Sequence, residues 1–299
     1  MQPRSWIAGL AFARSGRLLT RRLPLRGPSR LMFEAYRRAI PEQLPASILT
    51  TSVFGDRFHA DFASSLEWQI WLFGTHEKEL GDFLNAELRG GDTCIDVGAN
   101  IGVHTVRMAR VTGTSGRVIA IEADVKLADR LAANVELNGL KNVDIVRAAA
   151  SDVSGRRLEL FTPAPGDPNK ARASLLHHQY LTGPSSAVQT VTVDELAAKA
   201  HVALIKVDVE GVEIDVLRGA RATLERDFPV LVFEYNRDLV KDDISPLDYC
   251  RSLGYQLIEM RVVRNRVTGR ASTVLTDVTD PVLGNVNIVG RHPSHPIRR

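Results

Sequence analysis

The chain has 299 residues, of which 44% are hydrophobic, and carries 38 lysines and arginines against 35 acids for a net charge of +3. That length supports one full core and little more, and no apolar run is long enough to span a bilayer. Two cysteines, Cys94 and Cys250, supply neither a disulfide framework nor metal-ligand spacing, as expected of a cytoplasmic protein in a reducing compartment. The charge is unevenly placed. Residues 1–40 hold nine arginines and one acid (Glu34), which leaves 29 basic and 34 acidic residues for the remainder. A mildly acidic body argues against a nucleic-acid substrate.

The basic stretch, residues 1–45, reads as an extension preceding a single domain over 46–299 whose nucleotide-binding core spans about 90–240. An apolar patch at 6–13 is short and is followed at once by arginines, which disfavours a signal peptide. A transit peptide and an amphipathic segment making peripheral contact with an anionic membrane are alternatives to a solvated, partly helical extension, which is the preferred reading. Pro24, Gly27 and Pro28 separate it from a helix over 30–40. Residues 48–62 are extended around Gly55-Asp56, a hairpin signal. After an apolar, aromatic run at 66–71, a helix runs to Leu88 from a start near Glu77, whose carboxylate either complements the helix dipole or faces a cofactor.

The most informative segment follows. Residues 93–97 form an apolar strand holding Asp96, then turn through Gly98-Ala99-Asn100-Ile101-Gly102 into a helix over 103–111. A dinucleotide site would read G-x-G-x-x-G; here the spacing is G-x-N-x-G, with an acid two residues before the first glycine. An acid there repels a diphosphate and suits the ammonium of an amino-acid moiety, which points to S-adenosylmethionine. A second strand, 117–122, ends in Glu122, 26 residues after Asp96, where a carboxylate can accept both ribose hydroxyls. A helix over 123–138 starts at Ala123, and a third strand, 143–148, runs into Ala149-Ala150-Ser151-Asp152. The small residues leave room for an adenine ring, and Ser151 and Asp152 either bond its amine or begin a turn.

Residues 163–188, with Pro163, Pro165, Gly166, Pro168 and Gly183, read as an irregular insert covering the substrate; it carries His177 and His178. A fourth strand, 204–209, holds Lys206 and Asp208 on one face and passes through Glu210 and Gly211 into a helix over 212–224. In an open parallel sheet the ligand crevice lies beyond the C-terminal ends of the central strands, so Asp208 belongs beside Asp96. A fifth strand, 229–234, ends in Glu234-Tyr235-Asn236. Asp208, Glu234 and Asn236 are oxygen donors that could hold Mg²⁺ or Ca²⁺, or instead bond substrate hydroxyls or loop amides. A helix over 246–253 and two strands, 255–263 and 285–289, complete the pattern.

These motifs resemble the FkbM-type S-adenosylmethionine-dependent methyltransferases from about residue 48 to 289. The resemblance rests on His76-Glu77, 96–102, 118–122, 149–152, Thr192-Val193-Asp194 and, above all, 205–220. It implies a doubly wound, Rossmann-like class I methyltransferase sheet, mostly parallel with an antiparallel last strand, preceded by a hairpin and helix. It also implies methylation of a hydroxyl on a sugar, glycan or secondary metabolite. Two departures stand out: His76 and His104 replace tyrosines common in the family, and Ala123-Asp124 replaces proline-asparagine.

The expected cofactor-binding residues are Glu77, Asp96, Gly98, Ala99, Asn100, Gly102, Glu122, Ala123, Ser151, Asp152 and Asp208. Placing an acceptor oxygen in line with the methyl group supplies much of the rate, and a hydroxyl also needs a base. The candidates are Asp208, then Glu210, then His178, with Lys206 paired to Asp208. The alternatives are an NAD(P)-dependent oxidoreductase, opposed by the glycine spacing, and a methyltransferase-like module without turnover, opposed by the acids at four strand ends. A nucleic-acid base methyltransferase would need an N-P-P-Y-like motif where Asp208-Val209-Glu210-Gly211 stands.

Overall fold

The computed structural model describes residues 47–61, 64–167, 173–176, 181–240, 244–264, 271–278, 282 and 284–295. The basic extension 1–45 with its expected helix, and His177-His178, lie outside the described residues. A short hairpin, β1 (Ile48–Thr51) and β2 (Arg57–Ala60), precedes helices α1 (Ser65–Phe73) and α2 (Lys78–Glu87). There follow β3 (Thr93–Val97), α3 (Val103–Thr112), β4 (Arg117–Ile121), α4 (Val125–Leu137) and β5 (Val143–Val146). Next come β6 (Ala149–Ala150), β7 (Arg157–Phe161), β8 (Ser185–Val191), α5 (Val193–Ala197) and β9 (Val202–Val207). The chain continues through α6 (Glu213–Arg218), α7 (Arg221–Asp227), β10 (Val230–Asn236) and α8 (Pro246–Ser252) to β11 (Gln256–Arg264), β12 (Ala271–Asp277) and β13 (Asn285–Arg291).

Eight strands form one sheet in the order β12-β11-β13-β10-β9-β3-β4-β5. The run from β10 to β5 is parallel, and β13 enters antiparallel between β10 and β11. Strand periodicity accounts for the two helical layers. On one face Ile95, Val97, Ile119, Ile121 and Ile205 pack with Val216 and Leu217 of α6, Leu224 of α7 and Leu247 of α8. On the other, Cys94, Val118, Leu204 and Val232 meet Leu80 and Leu84 of α2 and Met108 of α3. Ala120 meets Leu127 and Leu131 of α4 on that same face. Both cysteines are free and buried. No helix among the described residues is long and apolar enough to cross a membrane.

The hairpin is fastened to this body by polar contacts. Buried Asp56 pairs with Arg110 at 2.7 Å and Arg107 at 3.4 Å on α3. Asn138 at the end of α4 accepts from Arg57 N and donates to Arg57 O, and Glu67 on α1 takes a two-pronged bond from Arg130.

Several elements differ from the sequence reading. Residues 66–71 belong to helix α1, which is buried on most of its surface and so lacks the one-sided pattern of a surface helix. The third strand ends at Val146, and Ala149-Ala150 pair with β8 in a separate small sheet. The insert is flanked by an antiparallel pair, β7 and β8, so residues 185–188 are strand and not irregular. Between the two expected final strands lies a further one, β12. The expected helix over 212–224 is two short helices. Gly219 lies against Ser151 O, where a Cβ would come within 2.0 Å, and its own carbonyl accepts from Asp194 N. Asp194 also caps α7, accepting from Ala222 N, Thr223 N and the Thr223 hydroxyl. Asp194→Ala is therefore expected to lower stability by about 1–2 kcal/mol, the cost of losing a helix cap, measurable by urea denaturation; an unchanged midpoint would refute this role for Asp194.

Candidate active site

The tips of β3, β4, β9 and β10 open onto one cavity of about 650 Å³, within the range of small-molecule sites. Its floor is the turn after β3. Gly98 N and Ala99 N both donate to Ile121 O at 3.0 Å, and Gly98, Asn100 and Gly102 take positive φ. At Gly98 a Cβ would fall 1.8 Å from Asp208 O, so only glycine lets the β3 and β9 tips approach. Asn100 N donates to Glu122 Oε2 at 2.7 Å, and Asp124 N to Glu122 Oε1 at 2.8 Å. Burial nevertheless pushes the Glu122 carboxyl up to about 7, against the pull of those two amides.

The expected site residues divide into those that reach the cavity and those that do not. Glu77, Gly98, Asn100, Glu122, Ala123, Asp208 and Glu210 line it, together with Ala148, Ala149 and Ala150. Ala99 belongs to the apolar cluster beneath, with Ile101 and Leu131, and Gly102 backs onto Leu131. Ser151 and Asp152 are also absent from the lining. Ser151 N donates to Val191 O, and the Ser151 hydroxyl turns to Asp152 Oδ1. Their expected contact with adenine is corrected accordingly: the small sheet draws both residues away.

Asp96 and Lys206 lie beneath the cavity, and Lys206 makes the expected pair with Asp208. Asp96 is fully buried, 3.2 Å from Lys206 Nζ, and accepts from the Thr105 hydroxyl at 2.6 Å. It lies under the floor and is not among the residues that line the cavity. Lys206 is 3% exposed and reaches from Asp96 to Asp208 Oδ2, at 3.4 Å, and towards Gly98 O, at 3.5 Å. Burial alone would lower its pKa, but Asp96, Asp208 and Glu77 outweigh burial and raise it, so the ammonium persists. It does not line the cavity either, so its role is to position Asp208 and the glycine turn.

Around the expected residue Glu77 stand others to which the sequence reading gave no role in the site. Glu77 has φ +45° and makes no side-chain cap bond; it faces the cavity. His104 Nε2 lies 3.1 Å from Glu77 Oε2, and Asn287 Nδ2 donates to Glu77 Oε1 at 3.2 Å. Burial raises Glu77, but the His104 bond and the surrounding positive charge hold it well below the usual carboxylate range. His76 also lines the cavity, and its burial favours the neutral ring. Asn285 and Asn287 alternate along β13, and that period alone places both on one face, so the signal was present in the sequence. Ser174, from the insert, donates to Glu210 O at 2.9 Å and lines the cavity with Ala173 and Leu175.

Glu234, near the end of β10, stands on the cavity wall, bonded by Asn285 Nδ2. Asn236 does not join it. Its Oδ1 accepts from Asp238 N, and it lines a separate small cavity with Tyr235 and Pro246. The trio Asp208, Glu234 and Asn236 thus does not fit Mg²⁺ or Ca²⁺, and no group of three or more His, Cys, Asp or Glu among the described residues is placed to hold a metal. Glu213, in the first turn of α6, accepts from Gly211 N at 3.0 Å and Val209 N at 3.4 Å, which fixes the loop carrying Glu210.

Removing the lysine leaves two carboxylates facing one another without a counter-ion. Lys206→Met is expected to cost about 3–5 kcal/mol, the penalty for an uncompensated buried charge. Adding Asp96→Asn should recover a large part of that loss in urea denaturation; additive losses would show that the pair is not the unit.

The profile of the methyltransferase FkbM domain matches residues 96–257. The hexuronic acid methyltransferase AglP of Haloferax volcanii is 29% identical over 197 residues, covering 65% of this chain and 77% of that protein. A protein-L-isoaspartate O-methyltransferase of Archaeoglobus fulgidus is 38% identical over 60 residues, 20% of this chain and 27% of the relative. A solved FkbM methyltransferase from Methylobacillus flagellatus aligns with a TM-score of 0.42 and 16% identity over 68% of this chain and 44% of that one. The matched span runs from the buried Asp96 through Glu122, Lys206, Asp208 and Glu234 to β11, and the chain belongs to the FkbM family of S-adenosylmethionine-dependent methyltransferases.

Proposed function

We propose that the chain methylates a hydroxyl oxygen of a sugar or glycan. The observation that carries this reading is the convergence of Asp208, Glu210 and Glu234 on one part of a cavity whose remaining wall suits an adenosine. Carboxylates are hydrogen-bond acceptors, and vicinal hydroxyls are the donors that match them. The Haloferax relative, a hexuronic acid methyltransferase, supports the same class. The buried free thiols of Cys94 and Cys250 suit the cytoplasm, which is the proposed location.

Bound S-adenosylmethionine supplies a methyl group activated by a positive sulfur; the rest falls to the protein. Glu122, held by Asn100 N and Asp124 N, keeps lone pairs free for two ribose hydroxyls. Ala148, Ala149 and Ala150 give a flat apolar wall for the base, bounded by Leu127 and Leu160. Glu77, kept ionised beside His104, is the partner for the ammonium of the amino-acid end. Asp208 accepts the acceptor's hydroxyl and fixes its line of approach, Glu210 takes a neighbouring hydroxyl, and Lys206 holds Asp208 in place.

Two measurements test these assignments. Asp208→Asn should leave S-adenosylhomocysteine affinity within about threefold and lower kcat about 10²-fold, the scale of a misplaced reactant. The assay is transfer of labelled methyl to a panel of methyl glycosides and uronic acids; turnover confined to acceptors without sugar hydroxyls would overturn the acceptor class. Hydroxyl donors favour the ionised form of Glu122, whose carboxyl stands at about 7 in the free protein. Affinity for S-adenosylhomocysteine should therefore rise with pH up to about 7 and then level off, with proton release below that pH. Calorimetry in buffers of different ionisation heat reads this directly, and Glu122→Gln should abolish the dependence.

A further inference from the structure

We propose that Glu234 is the group that receives the acceptor's proton, with Asp208 and Glu210 setting its basicity and Asn285 its orientation. This deepens the hydroxyl-methylation reading and rests on it.

Glu234 lies two residues before the end of the fifth parallel strand and lines the same cavity as Asp208 and Glu210. Those two acids stand on the loop after the neighbouring strand β9, so three carboxylates meet across the gap between two strand tips. Their surroundings differ. Asp208 has Lys206 as counter-ion. Among the described residues Glu234 is bonded by the neutral amide of Asn285, reached from β13, which enters antiparallel on its other side and pairs Asn287 with Glu234 in register. The charges facing it are Asp208 and Glu210 from the β9 loop and Glu77 from the start of α2, all negative. Burial, followed by the repulsion of Asp208 and Glu210, pushes its carboxyl up to about 8, while the Asn285 bond opposes the rise. A base matched to neutral or mildly alkaline pH gains most from both its ionised fraction and its proton affinity.

The proton balance is simple. As the acceptor oxygen forms its bond to the methyl carbon, the carbon–sulfur bond breaks and its electron pair stays on sulfur. The acceptor's O–H bond breaks, and its proton passes to the Glu234 carboxylate, which returns it to solvent. The two carboxylate roles are then separate: Asp208 aims the hydroxyl, and Glu234 takes the proton. The second oxygen of Glu234 remains bonded to Asn285, so Asn285→Ala should loosen the geometry without removing the base.

The test uses the full chain with S-adenosylhomocysteine bound and needs no acceptor for its first arm. Infrared difference spectra between pH 6 and pH 10 should show a protonated-carboxyl stretch that disappears with a midpoint near 8 and is missing from Glu234→Gln. Burial pushes Glu213 up to about 7, and Glu122, raised to about 7 in the free protein, is lowered by the bound ribose, so the Glu234→Gln comparison is what assigns the band. Asp208→Asn and Glu210→Gln should each lower its midpoint. In the second arm, kcat at saturating methyl donor on any panel sugar that turns over should rise through pH 8 in the wild type. In Glu234→Gln it should be flat and 10²–10⁴-fold lower, the range of a lost general base; Asp208→Asn should keep the rise at a lower ceiling. The absence of any Glu234-dependent band above pH 7, or a rise in kcat that survives in Glu234→Gln, overturns the proposal. Wild-type enzyme inactive on every sugar, with the infrared band present, would instead overturn the acceptor class.

Discussion

The site hangs on one buried cation. Lys206 lies under the floor of the cavity and joins the tips of β3 and β9 through Asp96, Asp208 and the Gly98 carbonyl. Two parallel strands carrying an acid each would repel one another at their ends, where a ligand crevice requires them to be close. The lysine turns that repulsion into a clamp. It also leaves Asp208 presented to the cavity while Asp96, sealed below, is consumed by the structure. Every cavity contact of the glycine turn depends on the distance this clamp sets, since Gly98 tolerates no side chain against Asp208.

Around the clamp, the acids of the cavity are held in different electrostatic states by different neighbours. Glu77 is kept ionised by His104, while burial raises Glu122 and Glu234. One cavity thus contains carboxylates suited to an ammonium, to a diol and to a proton, without needing different residue types. The environment does the differentiation, and the fold supplies it by delivering each acid from a separate strand end or helix start.

Most of the parallel sheet was legible in the sequence. Each core strand is a short apolar run closed by an acid or glycine, and the G-x-N-x-G turn fixed where the cofactor cavity opens. What stayed hidden depended on contacts between distant segments. Helix α1 is enclosed by the hairpin and α4, so its sequence shows no polar face. The break at Gly219 is imposed by Ser151, some seventy residues earlier. The pairing of Lys206 with Asp208 was legible from their spacing, but its second partner, Asp96, lies over a hundred residues away and could not be read locally. The period of β13 puts its two asparagines on one face, but which groups they and His104 meet, Glu77 and Glu234, depends on distant contacts.

The late entry of β13 has a consequence for how the protein is made. This strand is synthesised after β11 and β12 yet lies between β10 and β11. Until it emerges from the ribosome, β10 presents an open edge of buried-type residues, the sort of edge that recruits other chains. The same strand delivers Asn285 and Asn287, so the partners of Glu234 and Glu77 and the cover of that edge arrive together. A chain stopped before residue 285 would leave the β10 edge uncovered and Glu77 and Glu234 without their asparagine partners.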